Sequence, residues 1–236
     1  MPEMIISSAM KMADIINHDK RALVLLPRFG IDLGFGDKTI KEVCRSRQIN
    51  TDFFLLMVNT FLNKNYFPDR RLKSLDVSML LLYLENSHQY YLQEKIPYLE
   101  RLIEEFKERV HHPATLQLEK FFQQYIAEVK EHLAYEDHTA FPYVAALAQQ
   151  VKNQSIDITQ VNYNIGVFEE RHDNIEEKLT DLKSLLIKYF PPANDRYLRI
   201  RILNELMDFE DDLINHARIE DKVLIPIVAQ LEQQIN

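Results

Sequence analysis

The chain has 236 residues, 46% apolar and 27% charged, enough for one large soluble domain or two small ones with a sizeable core. A net charge of −8 with no basic stripe argues against nucleic acid as a partner, and no run of 18 apolar residues is present to span a membrane. Four glycines cannot supply a phosphate-binding loop, and the single Cys44 excludes a disulfide framework. That thiol usage fits a reducing compartment, and the charged N-terminal stretch MPEMIISSAMKMADIINHDK lacks the apolar centre of a signal peptide, so a cytoplasmic protein is expected.

In chain order, residues 1–64 read as a small domain of short helices around one turn. Apolar residues from Ile5 to Leu25 fall at helical spacing, and the clustered glycines of FGIDLGFGDK mark the turn. A helix is expected from Thr39 (KTIKEVCRSRQ), and Thr51 reads as the N-cap of TDFFLLMVNTFL. The polar stretch NKNYFPDRRLKS (63–74), with Pro68, is the expected linker.

Residues 75–236 follow as four long amphipathic patterns at 75–110, 114–150, 158–189 and 193–234. They are broken at HHPA (111–114), at QVKNQSID (150–157) and at Pro191–Pro192. Short connections make antiparallel neighbours, so the expected fold is all-α, an up-down-up-down four-helix bundle preceded by the small helical domain. Pro97 and Pro142 stand inside two of the patterns, where proline is expected to kink or end a helix.

An internal repeat selects the residues that carry chemistry. Shifted by 84 positions, HLAYEDHTAFPYVAAL (132–147) falls on HARIEDKVLIPIVAQL (216–231). His132 then meets His216, Glu136 meets Glu220, Asp137 meets Asp221, and Pro142 meets Pro226. At the same shift His88 meets His172 and Glu85 meets Glu169. Eight histidines in a chain of this length would give only ~0.2 matched pairs by chance at one shift. His18, His111, His112 and His138 find no partner and read as surface, cap or turn residues; Glu176, which follows His172 by four, meets Leu92 and is set aside.

The spacing is also geometrically consistent. His88 and His132 are 44 residues apart, as are His172 and His216. At 1.5 Å of rise per residue, a helix and its return place the members of each pair at similar heights. Within each HxxxE unit the His and Glu lie on one helix face. Four imidazoles and two carboxylates are thus aimed at one layer of the bundle, where desolvation would cost many kcal/mol without a compensating charge. A metal supplies that charge; mixed imidazole and carboxylate donors suit Fe, Mn or Zn, and two bridging carboxylates suit two ions.

At HLAYEDHTAFP and HARIEDKVLIP the sequence resembles the hemerythrin-like (HHE) cation-binding domains, over about residues 75–236, and in particular the di-iron proteins called repair of iron centres. The resemblance implies a non-haem, oxo-bridged di-iron centre held by His88, His132, Glu136, His172, His216 and Glu220, with both carboxylates bridging. RFGIDLGFGDKTIKEVC (28–44) is similar to the small domain that precedes the bundle in that family. A Cys pair normally follows its Gly-Ile-Asp-aromatic element; here those positions are Gly34 and Phe35. Cys44 reads as a small packed residue.

Glu85-x-x-His88 and Glu169-x-x-His172, with Glu136 and Glu220, also match the ligand set of ferritin-like di-iron carboxylate proteins. That set leaves His132 and His216 unused. In the hemerythrin-like set, Glu85 and Glu169 become outer acceptors for ligand N–H groups or a proton route. The resemblance implies iron–sulfur cluster repair under nitrosative or oxidative stress, by iron delivery and nitric oxide chemistry, with iron–sulfur proteins as partners and O₂, NO or oxide as small ligands. A sensor of O₂ or NO, or an iron store without turnover, is the alternative from another class. A hydrolytic two-metal enzyme would need further Asp or Lys groups, and the repeat supplies none.

Overall fold

The computed structural model describes residues 4–68, 76–153, 164–171, 177–190 and 195–235, and the regular elements within them are all helical. They are α1 (Met12–His18), α2 (Ala22–Arg28), α3 (Ile40–Ser46), α4 (Thr51–Leu62), α5 (Val77–Tyr90), α6 (Ile96–Arg109), α7 (Ala114–Tyr135), α8 (Phe141–Asn153), α9 (Ile165–Arg171), α10 (Glu177–Lys188), α11 (Arg196–Ile219) and α12 (Ile225–Ile235). Among the described residues no helix is long and apolar enough to cross a membrane. Parts of the 63–74, 150–157 and 158–189 stretches, and the Pro191–Pro192 break, lie outside the described residues.

The chain divides into two compact units. One comprises Met1–Ser87, Val144–Ile165 and Asn215–Asn236; the other comprises His88–Tyr143 and Gly166–Ile214. In the second unit α6, α7, α10 and α11 form a helical bundle around one apolar core. Leu99, Ile103 and Phe106 of α6, Leu118, Phe122, Ile126 and Val129 of α7, Leu179, Leu182 and Leu186 of α10, and Ile202, Leu206 and Phe209 of α11 recur three or four residues apart, so each helix buries one stripe.

In the first unit the short helices are held by local signals rather than by length. Glu42 and the Thr39 cap form a reciprocal capping box at the start of α3. The α2 terminus is a Schellman turn, with Gly30 N–H donating to Pro27 and Ile31 N–H to Leu26, and Gly30 takes φ +65, a conformation that favours glycine. Phe29, the C-cap residue of α2, packs edge-on to Phe54 at 4.9 Å and against Tyr83 at 5.1 Å.

Two expectations are corrected here. The cap of α4 is Asn50, whose Oδ1 accepts from Asp52 and Phe53 N–H, and Thr51 is already helical. Helix does not begin near Ile5: Ile6 exchanges backbone hydrogen bonds with the Asn59 amide, and Lys11 bridges to Thr39, so α1 starts only at Met12. Side-chain and bridge partners won over apolar periodicity.

Among the described residues, Pro97, Pro142 and Pro226 do not break the helical path. α5 runs into α6, α7 into α8 and α11 into α12 through π-helical turns at Tyr91–Lys95, Glu136–Ala140 and Glu220–Leu224. Each turn closes with a wide bond from the residue just before a proline: Ile96 to Tyr91, Phe141 to Glu136, Ile225 to Glu220. Pro97, Pro142 and Pro226 then fall at the second position of a fresh α segment, where a missing N–H is tolerated. One extra residue in the turn absorbs each proline and lets the rod continue.

Candidate metal centre

His88 stands near the end of α5 and His132 in the last turn of α7; Glu136 opens the π-helical turn that follows α7. His88 and Glu136 are almost wholly shielded, and the His132 side chain keeps 16% of its exposure. The i,i+4 spacing sets His132 Nε2 3.0 Å from Glu136 Oε1. The other oxygen, Oε2, lies 3.2 Å from His88 Nε2, so one carboxylate spans two imidazoles.

The opposite edge of the His88 ring meets Asp137, with Nδ1 2.7 Å from Oδ1. Phe141, at the end of the same π-helical turn, stacks on the ring at a centroid distance of 5.3 Å and 22°. Burial pulls the His88 pKa down, but the contacts with Asp137 and Glu136 and the charge of both outweigh burial and hold it up at about 9. A positive charge at this spot, proton or metal, is what the carboxylates favour.

The second HxxxE unit has the same local build. His216 lies in the last turn of α11 and Glu220 opens the π-helical turn that follows; both are buried, with His216 Nε2 3.3 Å from Glu220 Oε1. Their helix is moored by two cations. Arg218 donates to the Phe61 carbonyl and to Asn215 Oδ1, and Lys222 donates to the Lys64 and Tyr66 carbonyls just beyond α4. Lys222 also sits over the Phe67 ring, 4.4 Å from its centre.

The remaining candidates sort as follows. His172 lies outside the described residues, as does Glu176. Glu169 belongs to α9, and its side chain is not among those described. Glu85 is exposed on α5. His18, His111 and His138 are exposed, and His112 holds a turn, its Nδ1 accepting from Ala114 N–H. Cys44 is buried in α3, and burial pushes its thiol up to about 11. Gly34 and Phe35 offer no thiol. Sequence reasoning assigned no role to Asp137, although the repeat had paired it with Asp221, and it did not foresee the π-helical turns, each of which opens six residues before a proline.

The donor set fits a cation. Neither Glu136 oxygen has a well-directed hydrogen bond, although the carboxylate is buried. If His88 is neutral and gives its Nδ1–H to Asp137, its Nε2 lone pair faces a carboxylate lone pair, so this contact needs a positive charge, either a second proton on the ring or a metal ion in its place. Without such a charge the buried carboxylate would cost several kcal/mol, on the order of the usual penalty for a buried unpaired charge. Each unit thus carries a buried His–Glu pair of metal-ligating type: His88 with Glu136 in one, His216 with Glu220 in the other.

Comparison with known proteins agrees. The chain is 24% identical over 219 residues to "Iron-sulfur cluster repair protein ScdA" of Staphylococcus haemolyticus, covering 90% of this chain and 95% of the relative. It is 23% identical over 210 residues to "Iron-sulfur cluster repair protein YtfE" of Dickeya chrysanthemi, covering 87% and 90%. It is 26% identical over 154 residues to "Probable iron-sulfur cluster repair protein" of Haemophilus influenzae, covering 64% and 63%. The family description "Hemerythrin HHE cation binding domain" matches residues 83–228, and the chain belongs to that family.

Proposed function

We propose that this protein holds two iron ions and returns iron to damaged iron–sulfur clusters under nitrosative or oxidative stress. The ligands in this reading are His88, His132, Glu136, His172, His216 and Glu220, carried by a bundle over residues 75–236, with residues 1–64 as a helical companion domain. The observation that carries it is the Glu136 carboxylate: buried, without a well-directed hydrogen bond, and within 3.2 Å of two imidazole Nε2 atoms. The names of the relatives support the repair assignment.

Bound iron would supply redox chemistry and open coordination positions for small ligands such as O₂ or NO. The chain's own groups set how iron enters and leaves. Imidazoles and carboxylates bind only when deprotonated, so iron affinity falls as pH is lowered through their titration. No thiol relay is at hand, because Cys44 is buried and stays a neutral thiol at physiological pH. His132, more exposed than His88 or Glu136, is the side chain at which an acceptor or chelator gains access.

The test is iron transfer. Reduced, iron-loaded protein should lose iron to a chelator or an apo-cluster acceptor faster than the oxidised form, and Cys44→Ser should transfer as well as the parent. Retention of iron through repeated redox cycles, with reversible O₂ or NO binding and no rescue of a damaged cluster, would establish the sensor reading in its place.

A further inference from the structure

We infer that Asp137 is a positioning residue that fixes the His88 ring so that Nε2, and no other atom, faces the metal. The inference rests on the reading of His88 as an iron ligand and specifies how that ligand is aimed. Three observations carry it. Asp137 Oδ1 is 2.7 Å from His88 Nδ1, short enough for a charge-assisted hydrogen bond. Glu136, the preceding residue, meets the opposite nitrogen of the same ring at 3.2 Å. Phe141 closes one face of that ring.

Consecutive side chains of a regular α-helix diverge around its axis and do not grip the two edges of one imidazole. Here they lie in a π-helical turn, which turns less per residue and brings neighbours closer in azimuth. The proton then has one place to reside: Nδ1 donates it to Asp137, and Nε2 keeps its lone pair. A carboxylate partner also raises the basicity of the ligating nitrogen, which strengthens the metal bond. Asp137 keeps 28% of its side-chain exposure, so it is no buried structural ion, and its reach to His88 is the contact that explains its placement. The 84-residue repeat selects the same position, since Asp137 and Asp221 are matched while their neighbours His138 and Lys222 are not.

The experiment compares Asp137→Ala, Asp137→Asn and His88→Ala in the full chain loaded with Fe(II). Iron per chain, release to a chelator and circular dichroism are measured for each. Asp137→Ala should release iron about 10–100-fold faster than the parent, the usual cost of losing an outer partner of a ligand. Asp137→Asn should fall within several-fold of the parent, because its amide oxygen still accepts the Nδ1 proton. In the reduced protein, the exchangeable, paramagnetically shifted Nδ1–H signal absent from His88→Ala should exchange slowly with solvent in the parent and in Asn, and fast in Ala. Parent-like release and exchange in Asp137→Ala, with iron lost in His88→Ala, would overturn the positioning role and leave the ligand assignment standing. Parent-like iron in His88→Ala would overturn the ligand assignment and the positioning role with it.

Discussion

The α7–α8 and α11–α12 rods repeat one design and differ in what surrounds it. Each carries a His in the last turn of an α segment, opens a π-helical turn on Glu four residues later, and resumes one residue before a proline. Between these landmarks the rods part. Ala134 and His138, both exposed, stand where the other rod has Arg218 and Lys222, and those two cations tie their rod to carbonyls at Phe61, Lys64 and Tyr66. The positions that repeat include the imidazole and carboxylate groups proposed as donors; in the α11–α12 rod, two positions that do not repeat hold the mooring cations. The first rod instead spends its turn on His88, which Glu136, Asp137 and Phe141 enclose.

The largest effect should come from the repeated positions. Glu136→Ala and Glu220→Ala should each reduce iron per chain at least tenfold under equal loading, because a carboxylate beside an imidazole is lost and metal binding is coupled to folding. Metal analysis and thermal melts with and without Fe(II) check this. Loss in one variant with no change in the other would break the equivalence of the rods.

Removing the moorings should separate structure from chemistry. Arg218→Ala and Lys222→Ala each lose backbone-directed hydrogen bonds, at a cost of about 1 kcal/mol apiece. Hydrogen exchange around residues 59–66 should rise while iron content stays near the parent value. An iron loss as large as that of Glu220→Ala would show that mooring and metal binding are not separable.

Most of this comparison is legible in the sequence, because helical stripes and a repeat are patterns of residue identity. The four-stripe core of α6, α7, α10 and α11 follows from spacing alone. So does the choice of His132 and His216 over the unmatched histidines. What the residues do not announce is the extra residue in each π-helical turn. Proline signals an interruption, and a kink, a stop or a bulge all satisfy it. Asp137 was hidden for the same reason, since in a plain α-helix it would point away from its neighbour's partner. The mis-set cap of α4 is subtler: Asn50 and Thr51 are both good caps, and only the observed hydrogen bonds choose between them.

Two smaller effects sharpen the picture. Glu85→Gln should leave iron content unchanged, since Glu85 is exposed. A sharp fall would favour the ferritin-like ligand set. Cys44 should resist alkylation in the folded protein at pH 8, where a thiol held at about 11 is only about one part in a thousand thiolate. Because folding raises this pKa from 9.0, its contribution to stability is complete below pH 9 and is lost as pH rises toward 11. Cys44→Ser should remove that part of the alkaline slope; an identical slope in the variant would refute the burial effect.

The most direct test of the metal centre is iron stoichiometry with Mössbauer spectroscopy on ⁵⁷Fe-loaded protein, parent beside the Glu136→Ala, Glu220→Ala double variant. Two irons per chain in the parent, magnetically coupled, and almost none in the double variant is the expected result. One uncoupled iron per chain, or iron retained in the double variant, would contradict the proposed two-iron ligand set.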